Sequence, residues 1–220
     1  MTSKWNKDEP MRFATFFSKQ ACKPAGWFGR WVMPNIFDIG NARLNRLVYE
    51  KLSPQAGDLI LEIGSGTGKL LDKIARQVDG CIITGIDFSD TMVSISRRRN
   101  RKHIEKGRVA IHKGDIDDVS FSEDAYTKIC SVNTIYFWPD PEATVRNIVR
   151  LLRSGGMLAL GFEDIAQLEQ RRLDISVFRL YSTSEVESML IEAGFTNSVT
   201  TESVRAGSSV FHCTVGRLLE

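Results

Sequence analysis

The sequence is poor in the features that mark secreted, membrane-bound or metal-bound proteins. Its four cysteines, Cys22, Cys81, Cys130 and Cys213, are widely spaced with no C-x-x-C pair. That argues against a zinc site or a disulfide framework, and the last three, set in apolar runs, read as reduced core thiols. Nowhere do the roughly 18 apolar residues needed to cross a bilayer follow one another. The opening stretch MTSKWNKDEP has no apolar h-region, so a cytoplasmic protein with no membrane partner is expected. Excess charge is also missing, and a net +2 does not by itself point to nucleic acid or membrane. No low-complexity tract or internal repeat is visible.

What remains is an ordinary globular composition, 42% apolar and 25% charged over 220 residues, enough for one sizeable core. From Asp58 onward, short β-branched runs alternate with helical patterns, the signature of a parallel sheet flanked by helices. Strands are predicted at 59–63, 81–86, 108–113, 128–133 and 157–162. A first helix carries Leu70, Leu71, Ile74 and Val78 on one face. Another opens at Asp140 with Pro141 in its first position, and a third starts at Ser184 with Glu187 in capping-box spacing and stops at Gly194. The runs 196–204 and 209–215 are separated by too few residues for a helical crossover, so they should pair antiparallel. The expected fold is α/β, a doubly wound, mostly parallel seven-stranded sheet ending in a hairpin, with residues 56–220 as the main domain. Residues 1–55 form a helical cap segment, in which Asn41 is placed to cap a helix bearing Leu44, Leu47, Val48 and Leu52. The aromatic, Gly-rich stretch from Pro24 to Trp31 either covers one sheet edge or packs on the core.

The most informative stretch runs from Leu59 through Glu62, Ile63, Gly64, Ser65, Gly66 and Thr67 to Gly68, a buried strand breaking into glycines ahead of a helix. Glycines there permit positive φ and close ligand approach, and the free N–H groups of the helix start favour an anionic group. A phosphate-binding P-loop fails twice, because Ile63 stands where its first glycine belongs and Leu70 replaces its hydroxyl. A dinucleotide fingerprint is weakened by Lys69 in the third-glycine position, though it stays open.

The pattern E-x-G-x-G-x-G after a strand resembles motif I of the class I S-adenosylmethionine-dependent methyltransferases. Asp87 stands 19 residues beyond Gly68 at the end of the second strand, Gly114-Asp115-Ile116 follows the third, Ser131-Val132-Asn133 closes the fourth, and Leu151 to Leu158 is similar to the family's turn into the fifth. The nearest resemblance is to the small-molecule branch that includes ubiquinone and menaquinone C-methyltransferase-like proteins. It implies S-adenosyl-L-methionine as cofactor, with its carboxylate at Gly64, Ser65, Gly66 and Gly68, Glu62 near the ammonium and Asp87 on the ribose. It further implies Phe88 or Met92 over the ribose or base, Asp115 and Ile116 on the adenine, and Asn133 beside the glycine loop.

A sulfonium is already an activated leaving group, so in-line transfer needs chiefly an aligned acceptor in a dry site. Tyr136, Phe137 and Trp138 are candidates to line the acceptor pocket, with Tyr181 from the segment 163–183, although Phe137 and Trp138 serve equally well as packing under the cap. No general base is named, since His112 and His212 read as half-buried histidines and His103 belongs to a basic run. No metal is expected, because Asp115 is assigned to adenine and the neighbouring Asp117 and Asp118 read as solvated carboxylates. Arg97, Arg98, Arg99, Arg101, Lys102, Lys106 and Arg108 read as a solvated helix face. RNA methylation is the alternative they raise, but no recognition domain is appended, and nucleic acid is not the expected partner. A small-molecule acceptor and a monomer or homodimer are expected, with a non-catalytic cofactor-binding protein as the other alternative.

Overall fold

The β-branched runs after Asp58 become seven strands of one sheet: β1 (Leu59–Ile63), β2 (Ile82–Asp87), β3 (Val109–Lys113), β4 (Tyr126–Val132), β5 (Leu152–Glu163), β6 (Thr200–Ala206) and β7 (Ser209–Arg217). The structure is a computed structural model that describes residues 38–170, 179–195 and 199–219. The spatial order is β3-β2-β1-β4-β5-β7-β6. The first five strands are parallel, and β7 lies antiparallel between β5 and β6. The doubly wound sheet and the terminal hairpin are therefore as the sequence predicts. β5 starts five residues earlier than its apolar run, because Leu152 pairs with Tyr126 ahead of a register irregularity.

Among the described residues the sheet is flanked by α1 (Ala42–Leu52), α2 (Lys69–Gln77), α3 (Asp90–Arg99), α4 (Arg101–Glu105), α5 (Pro141–Leu151), α6 (Ile165–Gln170) and α7 (Thr183–Ala193). Alternation along the strands divides the core into two layers. Ile60, Ile83 and Ala159 face α1 and α2, whereas Leu61, Ile129, Leu158 and Phe162 face α5 and α7. No helix among the described residues is long and apolar enough to cross a membrane.

Helix α1 lies directly on β5. A Cβ at Gly161 would fall 2.5 Å from Val48 Cγ2 and 3.1 Å from Leu44 Cδ1, so glycine at that strand position is what admits the helix. Leu44, Leu47, Val48 and Leu52 are all buried at helical spacing. Leu44→Ala is expected to cost about 2–5 kcal/mol, read as a fall in urea midpoint at constant m; a loss below about 1 kcal/mol would mean the docked helix relaxes freely.

Local capping signals hold in part. Asp140 accepts from Ala143 N at 2.9 Å with Pro141 at the first position of α5, and Gly194, at φ +116°, ends α7. The capping box of α7 sits two residues earlier than predicted. Ser182 and Glu185 form it, and Glu185 Oε2 accepts from both Ser182 N and Ser182 Oγ at 2.7 Å. Asn41 precedes α1 but makes no side-chain cap; its amide oxygen is taken by Asn133. Val78 ends α2 in an extended conformation rather than continuing it. Cys22 and the Pro24–Trp31 stretch lie outside the described residues, as do 171–178 and 196–198.

Candidate active site

The order of strands reverses between β1 and β4, which opens a crevice at their carboxyl ends. β1 runs into it through Gly64, Gly66 and Gly68, which take φ of +66°, +52° and +72°. The three glycines do different work. A Cβ at Gly64 would come 2.3 Å from Thr134 Cγ2, so that glycine lets the loop press on the chain leaving β4. One at Gly68 would fall 2.2 Å from Ser96 Oγ and 2.5 Å from Asn100 Nδ2, against the end of α3. At Gly66 the nearest atom among the described residues is Gly64 O at 4.0 Å, so this glycine leaves room beside the loop.

Two buried carboxylates flank the loop. Glu62 is 3% and Asp87 7% exposed. Asp87 Oδ2 accepts from Gly66 N at 2.8 Å and Oδ1 from Ser89 N at 2.9 Å, which ties the end of β2 to the loop and leaves each oxygen a second lone pair. Burial raises its carboxyl above the ordinary value, partly offset by those two N–H groups. Glu62 sits at the amino end of α2, near Leu71 N. Burial drives its carboxyl well above the usual range, and the charge of Asp87 adds to that. Among the described residues, buried polar atoms without a partner collect here: Glu62 Oε2, Ser65 Oγ, Ser96 Oγ and Asn100 Oδ1 all border the loop. Such atoms mark a place where a further polar group belongs.

The chain end of β3 carries the next landmarks. Ile116 is buried and its carbonyl accepts from Asn147 Nδ2 at 3.1 Å. Asp115, half-buried, accepts from Asp117 N at 3.2 Å in a local turn. Met92 is buried in the first turn of α3, capped by Ser89, while Phe88 is half-buried. Asp117 is not simply solvated, because its oxygens accept from Thr144 Oγ1 and Asn147 Nδ2 and so tie this turn to α5. Among the described residues no three potential metal ligands come together.

Residues 61–160 match the family described as a methyltransferase domain. That stretch of the chain is similar to such a domain. It is 28% identical over 136 residues to Methyltransferase GfsG of Streptomyces halstedii, covering 60% of this chain and 49% of that one. Against the O-methyltransferase resE of Aspergillus sclerotiorum the identity is 28%, over 60% and 51%. For the sterol 24-C-methyltransferase of Eremothecium gossypii it is 26%, over 77% and 50%. The chain thus spans about half the length of these curated relatives. Among solved structures, the complex of the Haloferax volcanii Trm112 methyltransferase activator with its methyltransferase-like partner aligns at TM-score 0.74 and 18% identity, covering 88% of this chain and 96% of that chain. The [4+2]-cyclase SpnF aligns at 0.67 and 18%, over 80% and 81%. These structural likenesses show the fold; that a cyclase shares it illustrates why the reaction must be argued from the site.

S-adenosylmethionine is the cofactor of this methyltransferase domain. The site fits such a group on its own chemistry. Gly66 opens the loop to close approach, the adjoining helix start offers N–H groups to an anionic group, and two buried acidic side chains, Glu62 and Asp87, supply acceptors beside it.

A second polar network is assembled at the ends of β4 and β5. Asn133, at φ +56°, donates to Asn41 Oδ1 at 2.8 Å and to Glu163 Oε1 at 3.3 Å. Tyr136 OH receives Glu163 N at 2.5 Å, and Gln167 Nε2 donates to Glu163 Oε2 at 2.5 Å. Phe137 is half-buried edge-on to Tyr136, whereas Trp138 and Tyr181 are buried in the layer under α5 and α7. Tyr181 also lines a surface groove with Glu142, Glu185 and Glu192. The structure therefore gathers Asn133 and Tyr136 into one polar network and sets Trp138 and Tyr181 apart from it.

Sequence reasoning missed Glu163, Asn41, Thr67, Asp38 and Arg99, whose partners are distant in the chain. The basic run is less solvated than predicted, since Arg97 donates to Ile111 O at 2.8 Å and Arg108 to Asp79 at 3.0 Å. His112 is exposed on the edge strand rather than half-buried. His212 is buried with both ring nitrogens engaged, by Ser203 Oγ at 2.8 Å and Asp164 Oδ2 at 3.2 Å. Cys81, Cys130 and Cys213 are free and buried; burial pushes the Cys213 thiol up to about 12.

Proposed function

We propose that this chain transfers the methyl group of S-adenosylmethionine to a small-molecule acceptor bound over the ends of β4 and β5. The observation that carries the reading is the positive-φ glycine loop at the switch point, open at Gly66 and flanked by buried Glu62 and Asp87. The bound cofactor supplies a methyl on a sulfonium leaving group. The chain's part is to bind and orient. The open side of the loop at Gly66 and the N–H groups at the start of α2 take the carboxylate, Glu62 the ammonium and the remaining lone pairs of Asp87 the ribose hydroxyls. Phe88 and Met92 cover the nucleoside, with Asp115 and Ile116 at the base. Asn133 and Tyr136 fix the acceptor edge, and the aromatic layer containing Phe137, Trp138 and Tyr181 keeps water from it.

A small acceptor is supported by relatives named for O-methylation and for sterol C-methylation. It is also supported by the basic run, several of whose arms hold protein groups. The working unit is a cytoplasmic monomer or homodimer. Incubation with methyl-labelled S-adenosylmethionine and a panel of small hydroxyl, amine and carbon acceptors is expected to place label on at least one of them, with stoichiometric S-adenosylhomocysteine. Label transferred to added RNA alone would overturn the acceptor class. Cofactor binding without acceptor-dependent S-adenosylhomocysteine across the panel would favour a binding-only protein.

A further inference from the structure

One polar cluster on the glycine loop has no part in the roles assigned above. Asp38 lies before α1, 29 residues from Thr67 and 61 from Arg99 in the chain, yet its carboxylate meets both. Thr67 Oγ1 donates to Asp38 Oδ1 at 2.5 Å, and Arg99 spans the carboxylate with Nη1 to Oδ1 at 3.2 Å and Nη2 to Oδ2 at 2.5 Å. Arg99 Nη1 also donates to Thr67 O at 3.0 Å and Thr67 Oγ1 at 2.6 Å. Lys69 Nζ donates to Asp38 O at 2.8 Å, and the neighbouring Asn100 Nδ2 to Gly68 O at 3.1 Å. The carbonyls of Thr67 and Gly68 are therefore both held by the end of α3, and the Thr67 hydroxyl donates to a carboxylate while accepting from a guanidinium. Thr67 is only 6% exposed, where a two-pronged Arg–carboxylate pair keeps much of its directional strength. Burial alone would raise the Asp38 carboxyl, but the hydrogen bonds from Arg99 and Thr67 outweigh it and hold it below the ordinary value.

Three residues later the same turn takes hold of the other side of the crevice, where Asn41 Oδ1 accepts from Asn133 Nδ2 at 2.8 Å. Between these anchors Ile39 is 80% exposed and Gly40 has nothing near its missing Cβ. Residues 38–41 thus join the loop after β1 to the end of β4, the two strands between which the strand order reverses.

We propose that Asp38 and Asn41 are positioning residues, a two-point strap that fixes the glycine loop through Thr67 and Arg99 and the acceptor edge through Asn133. The inference rests on the cofactor site proposed above and goes beyond it by assigning loop geometry to residues that do not themselves touch the cofactor. It explains why Arg99 is not a solvated member of its basic run. Removing Asp38 leaves the Thr67 side chain and the Arg99 guanidinium without their common partner, so the loop loses its fixed shape while the sheet and both core layers stay packed.

The test is calorimetric binding of S-adenosylhomocysteine to the whole chain, with the melting temperature of the free protein measured alongside. Asp38→Ala is expected to weaken binding about tenfold, the size of one charge-assisted hydrogen bond. Thr67→Val should weaken it severalfold, and the double variant should be no weaker than Asp38→Ala alone, because the two side chains act through one network. Asp38→Glu should recover most of the loss. Asn41→Ala is expected to leave cofactor affinity within about twofold and to raise the acceptor KM instead. If Asp38→Ala melts too low to be studied, Thr67→Val decides, since it removes one hydroxyl and keeps the shape. Unchanged affinity in a folded Asp38→Ala or Thr67→Val protein, or additive losses in the double variant, would overturn the strap. Failure of the unaltered protein to bind S-adenosylhomocysteine would instead sink the cofactor site, so the two failures are distinguishable.

Discussion

Gly66→Val is expected to abolish detectable S-adenosylhomocysteine binding, a loss of at least about 100-fold or near 2.7 kcal/mol, while the free protein stays folded. Gly66 takes φ +52°, and nothing lies closer to its absent Cβ than a carbonyl at 4.0 Å. A Cβ there therefore meets nothing closer than ordinary van der Waals contact among the described residues. A valine costs the fold only the left-handed backbone penalty, about 1–3 kcal/mol, and projects into the space that the ligand must enter. Gly68→Ala is the informative contrast. Its Cβ would fall 2.2 Å from Ser96 Oγ and 2.5 Å from Asn100 Nδ2, so the loop must shift off the end of α3 and the larger effect is on stability. Calorimetry paired with urea unfolding separates the two. Normal binding by Gly66→Val would contradict the placement of the cofactor, and so would a Gly66→Val protein that unfolds as readily as Gly68→Ala.

Glu62→Gln is expected to move stability and binding in opposite directions. The Glu62 carboxyl is raised well above 4.5 by burial and by the charge of Asp87, and one of its oxygens has no partner. A carboxyl raised in the folded state contributes stability that is fully present below the unfolded value near 4.5 and is lost as pH climbs through the folded value. The free protein should therefore become less stable as pH rises through that window. Asp87, raised by burial, adds to the same slope from its own ordinary value of 3.8 upward. Glutamine cannot ionise, so the variant should show a flatter profile and, near neutral pH, a melting temperature higher by on the order of 2–4 °C. Binding should fall about tenfold, because an ammonium then loses its anionic partner. In the unaltered protein, affinity for S-adenosylhomocysteine should rise with pH over the same window as Glu62 gives up its proton. An affinity that falls with rising pH, or a Glu62→Gln protein that binds as well as the original, would remove Glu62 from the ammonium site.

Much of the fold could be read locally because its signals are local. The short β-branched runs became strands, Asp140-Pro141 opened α5 and Gly194 closed α7. Where two local readings overlapped, pattern alone could not choose. Ser182-Glu185 and Ser184-Glu187 have the same spacing, and the chain uses the earlier pair. The glycine loop was legible for the same reason, as five consecutive positions with one steric logic. The polar web around it was not. Asn41 has the side chain of a helix cap, but a partner 92 residues away takes its oxygen. Arg99 sits in a basic run that looks solvated, and only the sheet order brings Asp38 and Thr67 to it. Glu163 ends an apolar strand as an unremarkable acid, and its meaning comes from Asn133 and Gln167 arriving from other elements. Contacts of that range leave no periodicity behind, so a single sequence registers the residues without their pairing.

The most direct measurement is calorimetric titration of the unaltered protein with S-adenosylhomocysteine, NAD and ATP in parallel. A site built from the Gly64–Gly68 bend, Glu62 and Asp87 should take up S-adenosylhomocysteine at one site per chain and give no saturable heat with the other two. Saturable binding of NAD with none of S-adenosylhomocysteine would contradict the account at its root.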